Sequence, residues 1–162
     1  MSAFTHFDAD GCSRMVDVSA KDTSSRTARA SGLVRLEPAT LAMILDRGMA
    51  KGDVLEVARL AGIMGAKRTG ELIPLCHPLG LDGLEINIQV LDDRTIRVEA
   101  TARLEGRTGV EMEALVAVTL SCLTIYDMCK GIDRGMVIDQ VRLEEKSGGR
   151  SGHYLRESSD PV

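Results

Sequence analysis

Asp127 and Lys130 stand three residues apart near the end of the stretch VEMEALVAVTLSCLTIYDMCKG, residues 110–131. Three apart on a helix makes them neighbours on one face. Lys130 in a last turn agrees with the helix dipole, whereas Asp127 there opposes it. A carboxylate that breaks this rule on a largely apolar helix is a site candidate. The competing reading is a solvated ion pair where the helix emerges. Glu113 lies on the same stretch, 14 residues before Asp127. At about 100° per residue the two fall within about 40° of one face but roughly 21 Å apart along the axis. One small reacting group cannot touch both. Either the ligand is long, or the two residues serve different sites, one of them shared with a neighbouring subunit. Taken alone, Glu113 also reads as an ordinary acid favouring a helix N-terminus.

His77 follows Cys76 inside LIPLCHPLGL, residues 72–81, and the prolines on either side hold that pair stiffly. A lone histidine is either a chemical group or a satisfied structural one. No second histidine lies at ligand spacing, which disfavours a metal site. Lys51, Lys67, Arg68, Lys146 and Arg150 are cations near loops or helix ends. KSGGR, residues 146–150, can expose backbone N–H groups beside two cations, an arrangement that suits phosphate. It lacks the order of a Walker loop. Each cation singly also reads as a solvated surface charge. The patterns GxGxxG, HExxH and GxSxG are absent.

The elements that must carry these residues follow from periodicity. Residues 27–36 alternate as a first strand, and a short helix follows over 40–47. Asp53-x-x-Glu56 has the form of a capping box ahead of a helix over 54–69. Residues 84–90 and 96–104 alternate about Asp92-Asp93, which predicts a hairpin. The apolar helix over 110–131 ends at Gly131 in C-cap fashion, and 136–145 is a last strand. This order predicts an α+β fold on the ferredoxin-like split βαβ plan: a four-stranded antiparallel sheet, helices packed on one face, and one extra helix. Residues 1–14 read as a poorly ordered segment, 15–155 as one catalytic domain and 156–162 as a polar tail. An all-round apolar helix also calls for cover from a second subunit.

Bulk properties narrow the function. Of 162 residues 44% are hydrophobic, enough for a core. The net charge of −4 and 2% aromatics remove the basic footprint and stacking platforms of a nucleic-acid binder. No uninterrupted apolar run suggests a membrane span, and the N-terminus lacks a signal-peptide pattern. The four cysteines form no CxxC pair. Reduced thiols in a cytoplasmic protein are the expectation.

Read together, MVDVSAKDTSSRTARASG, KGDVLEVARLAGIMGAKRTGELIPLCHPLGL, GVEMEALVAVTLSCLTIYDMCKGIDRGMVI and LEEKSGGRSGHY resemble the cyclic pyranopterin monophosphate synthase family, molybdenum cofactor biosynthesis protein C. The match covers about residues 15–154. Departures such as Gly70 and the DRG of GIDRGM touch no candidate residue. The resemblance implies a lyase acting on a nucleotide-derived small molecule. It would convert 3′,8-cyclo-7,8-dihydroguanosine 5′-triphosphate to cyclic pyranopterin monophosphate and pyrophosphate. It also implies a ferredoxin-like subunit in a homohexamer, a trimer of dimers, with sites at the dimer interface. The catalytic aspartate falls on Asp127 and its neighbouring lysine on Lys130, with Lys51 as a further catalytic amine. Substrate contacts fall on Leu75, Cys76, His77, Met112 and Glu113, and on the cations Arg26, Lys67 and Lys146. No cofactor or bound metal is required, although Mg²⁺ could accompany the triphosphate. From another class, a non-catalytic regulatory module binding a phosphorylated small molecule at a subunit interface would share the fold plan and the anion site.

Overall fold

Small apolar residues alternate with polar ones along the two central strands, and this alternation decides which side of the sheet the helices cover. The computed structural model describes residues 6–8, 10–46 and 53–157. Its elements are β1 (Ser24–Arg35), α1 (Pro38–Leu45), α2 (Val54–Ala66), α3 (Thr69–Leu72), β2 (Gly83–Val90), β3 (Thr95–Gly106), α4 (Glu111–Cys129), β4 (Val137–Ser147) and β5 (Tyr154–Leu155). The sheet runs β2-β3-β1-β4-β5, with every pair antiparallel. β1 and β3 pair in unbroken register from Ser24 with Gly106 to Arg35 with Thr95. Ala28, Ala30 and Val34 of β1 and Ile96, Val98, Ala100 and Ala102 of β3 are buried in one core. The intervening positions carry Arg29, Arg97 and Glu99, which form ion pairs on the other face.

The α+β expectation and its ferredoxin-like strand order hold, with corrections. The sheet has five strands, not four. Glu145 pairs with Leu155 and Lys146 with Tyr154, adding a two-residue strand beyond β4. Two residues are too few for a period to show. The single helix expected over 54–69 divides into α2 and the one-turn α3. At the break the Thr69 hydroxyl donates to the Ala66 carbonyl at 2.9 Å, meeting a helix end that would otherwise lack a partner. There are therefore two short helices, α1 and α3, rather than one extra. Gly131 does not cap α4 in a left-handed conformation. Lys130 is the C-cap with φ −56°, and the N–H groups of Ile132 and Asp133 both return to the Cys129 carbonyl.

The Asp53 cap forms as expected: its carboxylate accepts from the N–H groups of Leu55 and Glu56 at 3.0 and 3.2 Å. The Glu56 side chain turns to Arg59 instead of closing the box. Arg59 in turn donates to the Ile86 carbonyl of β2, the strand at the open end of the sheet.

α4 is the buried strut of the fold. By length and composition it could cross a membrane. Here Ala114, Ala117, Val118, Cys122 and Ile125 are fully buried within the sheet-and-helix core. Burying a side chain such as Ile125 contributes roughly 1.5–3 kcal/mol. α2 approaches α4 closely because Gly62 has no side chain. A Cβ there would lie 2.8 Å from the Ala117 carbonyl and collide with the Ser121 hydroxyl. This packing holds the two ends of α4, and whatever stands on them, at a set separation.

Candidate functional site

The first turn of α4 is where two cavities meet. It follows the turn Gly106-Arg107-Thr108-Gly109, and a helix N-terminus presents unpaired N–H groups and a positive dipole end. The smaller cavity, about 310 Å³, lies between this turn, residues 16–18 and the loop after α3. Val16, Val18, Leu79 and Met112 give it apolar walls, and Cys76, His77 and Glu113 supply polar groups. The larger, about 580 Å³, is lined by five cations: Lys21, Arg26, Arg107, Lys146 and Arg150. Asp22 and Glu111 are its carboxylates. Lys21, Thr108, Gly109 and Glu111 line both cavities, so the two adjoin.

The small cavity is electrostatically unusual. Glu113 is only 3% exposed and has no ion pair among the described residues. Burial raises its pKa and Glu111 adds to the effect, although its own backbone N–H opposes them. The Cys76 thiol is pushed up by burial and then by the charge of Glu113. It is therefore held as a thiol, not as the thiolate a nucleophile needs. His77 donates from Nε2 to the Val16 carbonyl at 2.8 Å. A carbonyl can only accept, so Nε2 carries a proton, and the tautomer this selects has its lone pair on Nδ1.

The large cavity owes its shape to the end of the sheet where β1 starts and β4 finishes. Arg26 projects from β1 and donates from Nε to the Gly106 carbonyl at 3.2 Å. Pairing of Thr27 with Ser147 brings the end of β4 beside it, and the glycine-rich loop after β4 lies over its guanidinium. Lys146 reaches the Ser151 hydroxyl within that loop.

Of the residues expected at the site, Leu75, Cys76, His77, Met112 and Glu113 converge on the small cavity, and Arg26 and Lys146 on the large one. Lys67 is an exposed C-cap of α2 and lines neither. Asp127 and Lys130 stand at the far end of α4, 66% and 58% exposed, joined at 2.5 Å, and also line neither. The hydrogen bond and charge of Asp127 raise the Lys130 pKa. Lys51 lies outside the described residues. Sequence reasoning missed Lys21 and Arg107. Lys21 sits in a polar loop with no period, but Arg107 stands in a glycine-flanked turn before a helix, a recognised anion-binding context. Among the described residues, no group of three His, Cys, Asp or Glu side chains could hold a metal ion.

The MoaC family model matches residues 15–149. The chain is 58% identical over 158 residues to cyclic pyranopterin monophosphate synthase 1 of Mycobacterium tuberculosis, covering 98% of this chain and 93% of that protein. It is 57% identical over 156 residues to cyclic pyranopterin monophosphate synthase 3 of Mycobacterium bovis, covering 96% and 88%. To the cyclic pyranopterin monophosphate synthase of Parvibaculum lavamentivorans it is 56% identical over 152 residues, covering 93% and 94%.

Proposed function

The chain belongs to the MoaC family, and from that premise we propose that it is a cyclic pyranopterin monophosphate synthase of molybdenum cofactor biosynthesis. Its reaction is the conversion of 3′,8-cyclo-7,8-dihydroguanosine 5′-triphosphate to cyclic pyranopterin monophosphate and pyrophosphate. One observation carries the reading beyond the family: a cavity walled by five cations adjoins an apolar-walled pocket with a few polar groups. The first suits a triphosphate, the second a flat heterocycle.

In this reading Arg26, Lys146, Lys21, Arg107 and Arg150 hold the phosphates and offset the charge that develops as pyrophosphate leaves the α-phosphorus. Glu113, with its raised pKa, acts as a hydrogen-bond donor or proton source toward the ring, and Nδ1 of His77 acts as an acceptor. Ring opening and reclosure move several protons. Asp127, Lys130 and Lys51 are assigned to them. Lys130 enters as an ammonium because Asp127 favours its charged form. Mg²⁺ carried on the triphosphate would arrive with the substrate, and Asp22 and Glu111 are the cavity carboxylates that could meet it.

Asp127 cannot reach its own chain's cavities, because about 21 Å of helix separates it from Glu113. Thr119, Leu123 and Asp127 form one exposed stripe at i, i+4 spacing, and Val57, Leu60 and Met64 of α2 are exposed as well. Exposed apolar side chains such as Leu123, Val57, Leu60 and Met64 support a second copy as their cover. We assign the site to two chains: one provides the cavities and its neighbour the Asp127–Lys130 pair, within a homohexamer built as a trimer of dimers. All four cysteines are free, which fits the cytoplasm.

The test is the purified protein with the cyclised dihydro-GTP precursor. Pyrophosphate and pterin product are expected. Their absence, with the precursor merely bound, would point to a regulatory module. Asp127→Asn is expected to lower turnover by about 10²–10⁴-fold with the oligomer intact. An unimpaired Asp127→Asn enzyme would refute that assignment.

A further inference from the structure

The loop after β4 contains three glycines with positive φ: Gly148 at 95°, Gly149 at 74° and Gly152 at 64°. They do not serve the same purpose. A Cβ on Gly152 would meet nothing within 4 Å. A Cβ on Gly148 would strike the Ser25 backbone carbonyl and lie 3.2 Å from Cδ of Arg26, so that glycine chiefly lets the loop lie against β1. A Cβ on Gly149 would have Arg26 atoms as its three nearest contacts. It would overlap Nη1 of Arg26 outright and lie 2.5 Å from Cζ and 3.0 Å from Nη2. The guanidinium thus occupies the space that any side chain at position 149 would fill. Its other side is committed, since Nε donates to the Gly106 carbonyl. Arg26 is clasped between two backbone segments and lines the cationic cavity.

We propose that Gly149 is a positioning residue for polyphosphate binding, and that its missing side chain makes the place in which the Arg26 guanidinium is held. The inference rests on the reading of this cavity as the triphosphate site. An arginine fork binds phosphate oxygens strongly only when its planar donors are oriented in advance. Held by Gly106 and Gly149, the fork meets the ligand without ordering a long side chain first. Any residue larger than glycine at 149 turns Arg26 out of that position. The phosphate groups then lose an oriented partner, although no group that touches the ligand has been removed.

Calorimetric titration of the purified full chain with inorganic triphosphate at low salt tests this as a mutant cycle. Gly149→Ala is expected to weaken triphosphate binding about tenfold in the wild-type background and less than about twofold in an Arg26→Ala background. With the nucleotide precursor, Gly149→Ala should raise KM by about the same factor and change kcat much less. Gly152→Ala carries the same kind of backbone strain without touching Arg26 and should bind triphosphate like wild type. An equal loss on both Arg26 backgrounds, or an equal loss from Gly152→Ala, would show loop strain and overturn the proposal. If Gly149→Ala alone does not fold, the Arg26→Ala/Gly149→Ala double variant should, because the clash is gone. A double variant that also fails to fold would overturn it too. Wild-type protein that binds no triphosphate would instead sink the cavity reading itself.

Discussion

Glu113 and Glu144 are both carboxylates removed from water, 3% and 8% exposed, yet the molecule treats them in opposite ways. Glu144 lies on β4, on the ion-paired side of the sheet. The Ser31 hydroxyl and Arg142 Nε donate to it, the latter at 3.0 Å, and Arg97 and Arg156 approach within 4.0 and 3.9 Å. Burial alone would raise its pKa, but those hydrogen bonds and charges overcome burial and hold it below the ordinary range. Among the described residues Glu113 has no ion pair, its own backbone N–H is its one opposing partner, and burial pushes it up. One carboxylate is matched on all sides and ties strands together. The other is left unmatched at the mouth of a helix, facing a cavity. A buried group whose needs are unmet by its own chain is where a ligand can gain the most.

That contrast can be broken most directly at Glu144. Glu144→Ala leaves several donors facing each other without their acceptor, and should cost about 2–3 kcal/mol, somewhat less than for a fully buried pair because the arginines are partly exposed. Thermal unfolding should fall by several degrees while turnover per folded subunit is unchanged. Lost turnover with unaltered stability would mean that Glu144 belongs to the site. Glu144→Gln, which keeps the shape, should cost about 1 kcal/mol at neutral pH. The folded pKa of Glu144 is depressed, so its stabilisation is present above the unfolded value near 4.5 and is lost as pH falls through the lower folded value. Wild type and Glu144→Gln should therefore converge in stability as pH falls below 4.5 and through that lower folded value.

The smallest change in stability, with the opposite sign, is expected at Glu113. Its folded pKa is raised. Its contribution is therefore fully present below the unfolded value near 4.5 and is lost as pH rises through the folded one. Glu113→Gln removes that loss and should stabilise the protein by up to about 1 kcal/mol at pH 8, with no effect at pH 4. The same substitution should slow turnover at least about tenfold. Destabilisation at pH 8 would show that Glu113 is as well matched as Glu144 and erase the distinction.

Much of the fold was legible because strand alternation and the Asp53 cap are local. β1, β2, β3 and the long helix follow from the 2.0 and 3.6 periods of side-chain placement. What periodicity could not reveal was short or set by tertiary contact. β5 is two residues long, α3 depends on a hydroxyl bond from Thr69 to Ala66, and the turn after Lys130 needs no glycine. The site was legible in halves. Leu75, Cys76, His77, Met112 and Glu113 do meet in one cavity. Lys21 and Arg107 were hidden because an isolated cation in a loop carries no pattern, and only the folding of residues 21–26 and 107–111 around one space gathers them.

The bond from Arg59 to the Ile86 carbonyl has a consequence for how the protein behaves in crowded solution. Among the described residues β2 has a sheet neighbour on one side only, and an exposed strand edge is a template on which another chain can add. A guanidinium lodged on that strand keeps one of its carbonyls occupied and places a bulky cation beside it. Arg59→Ala is therefore expected to favour open-ended sheet growth, an effect read in turbidity over time and not in melting temperature. The helix that packs against the buried strut thus also guards the edge of the sheet.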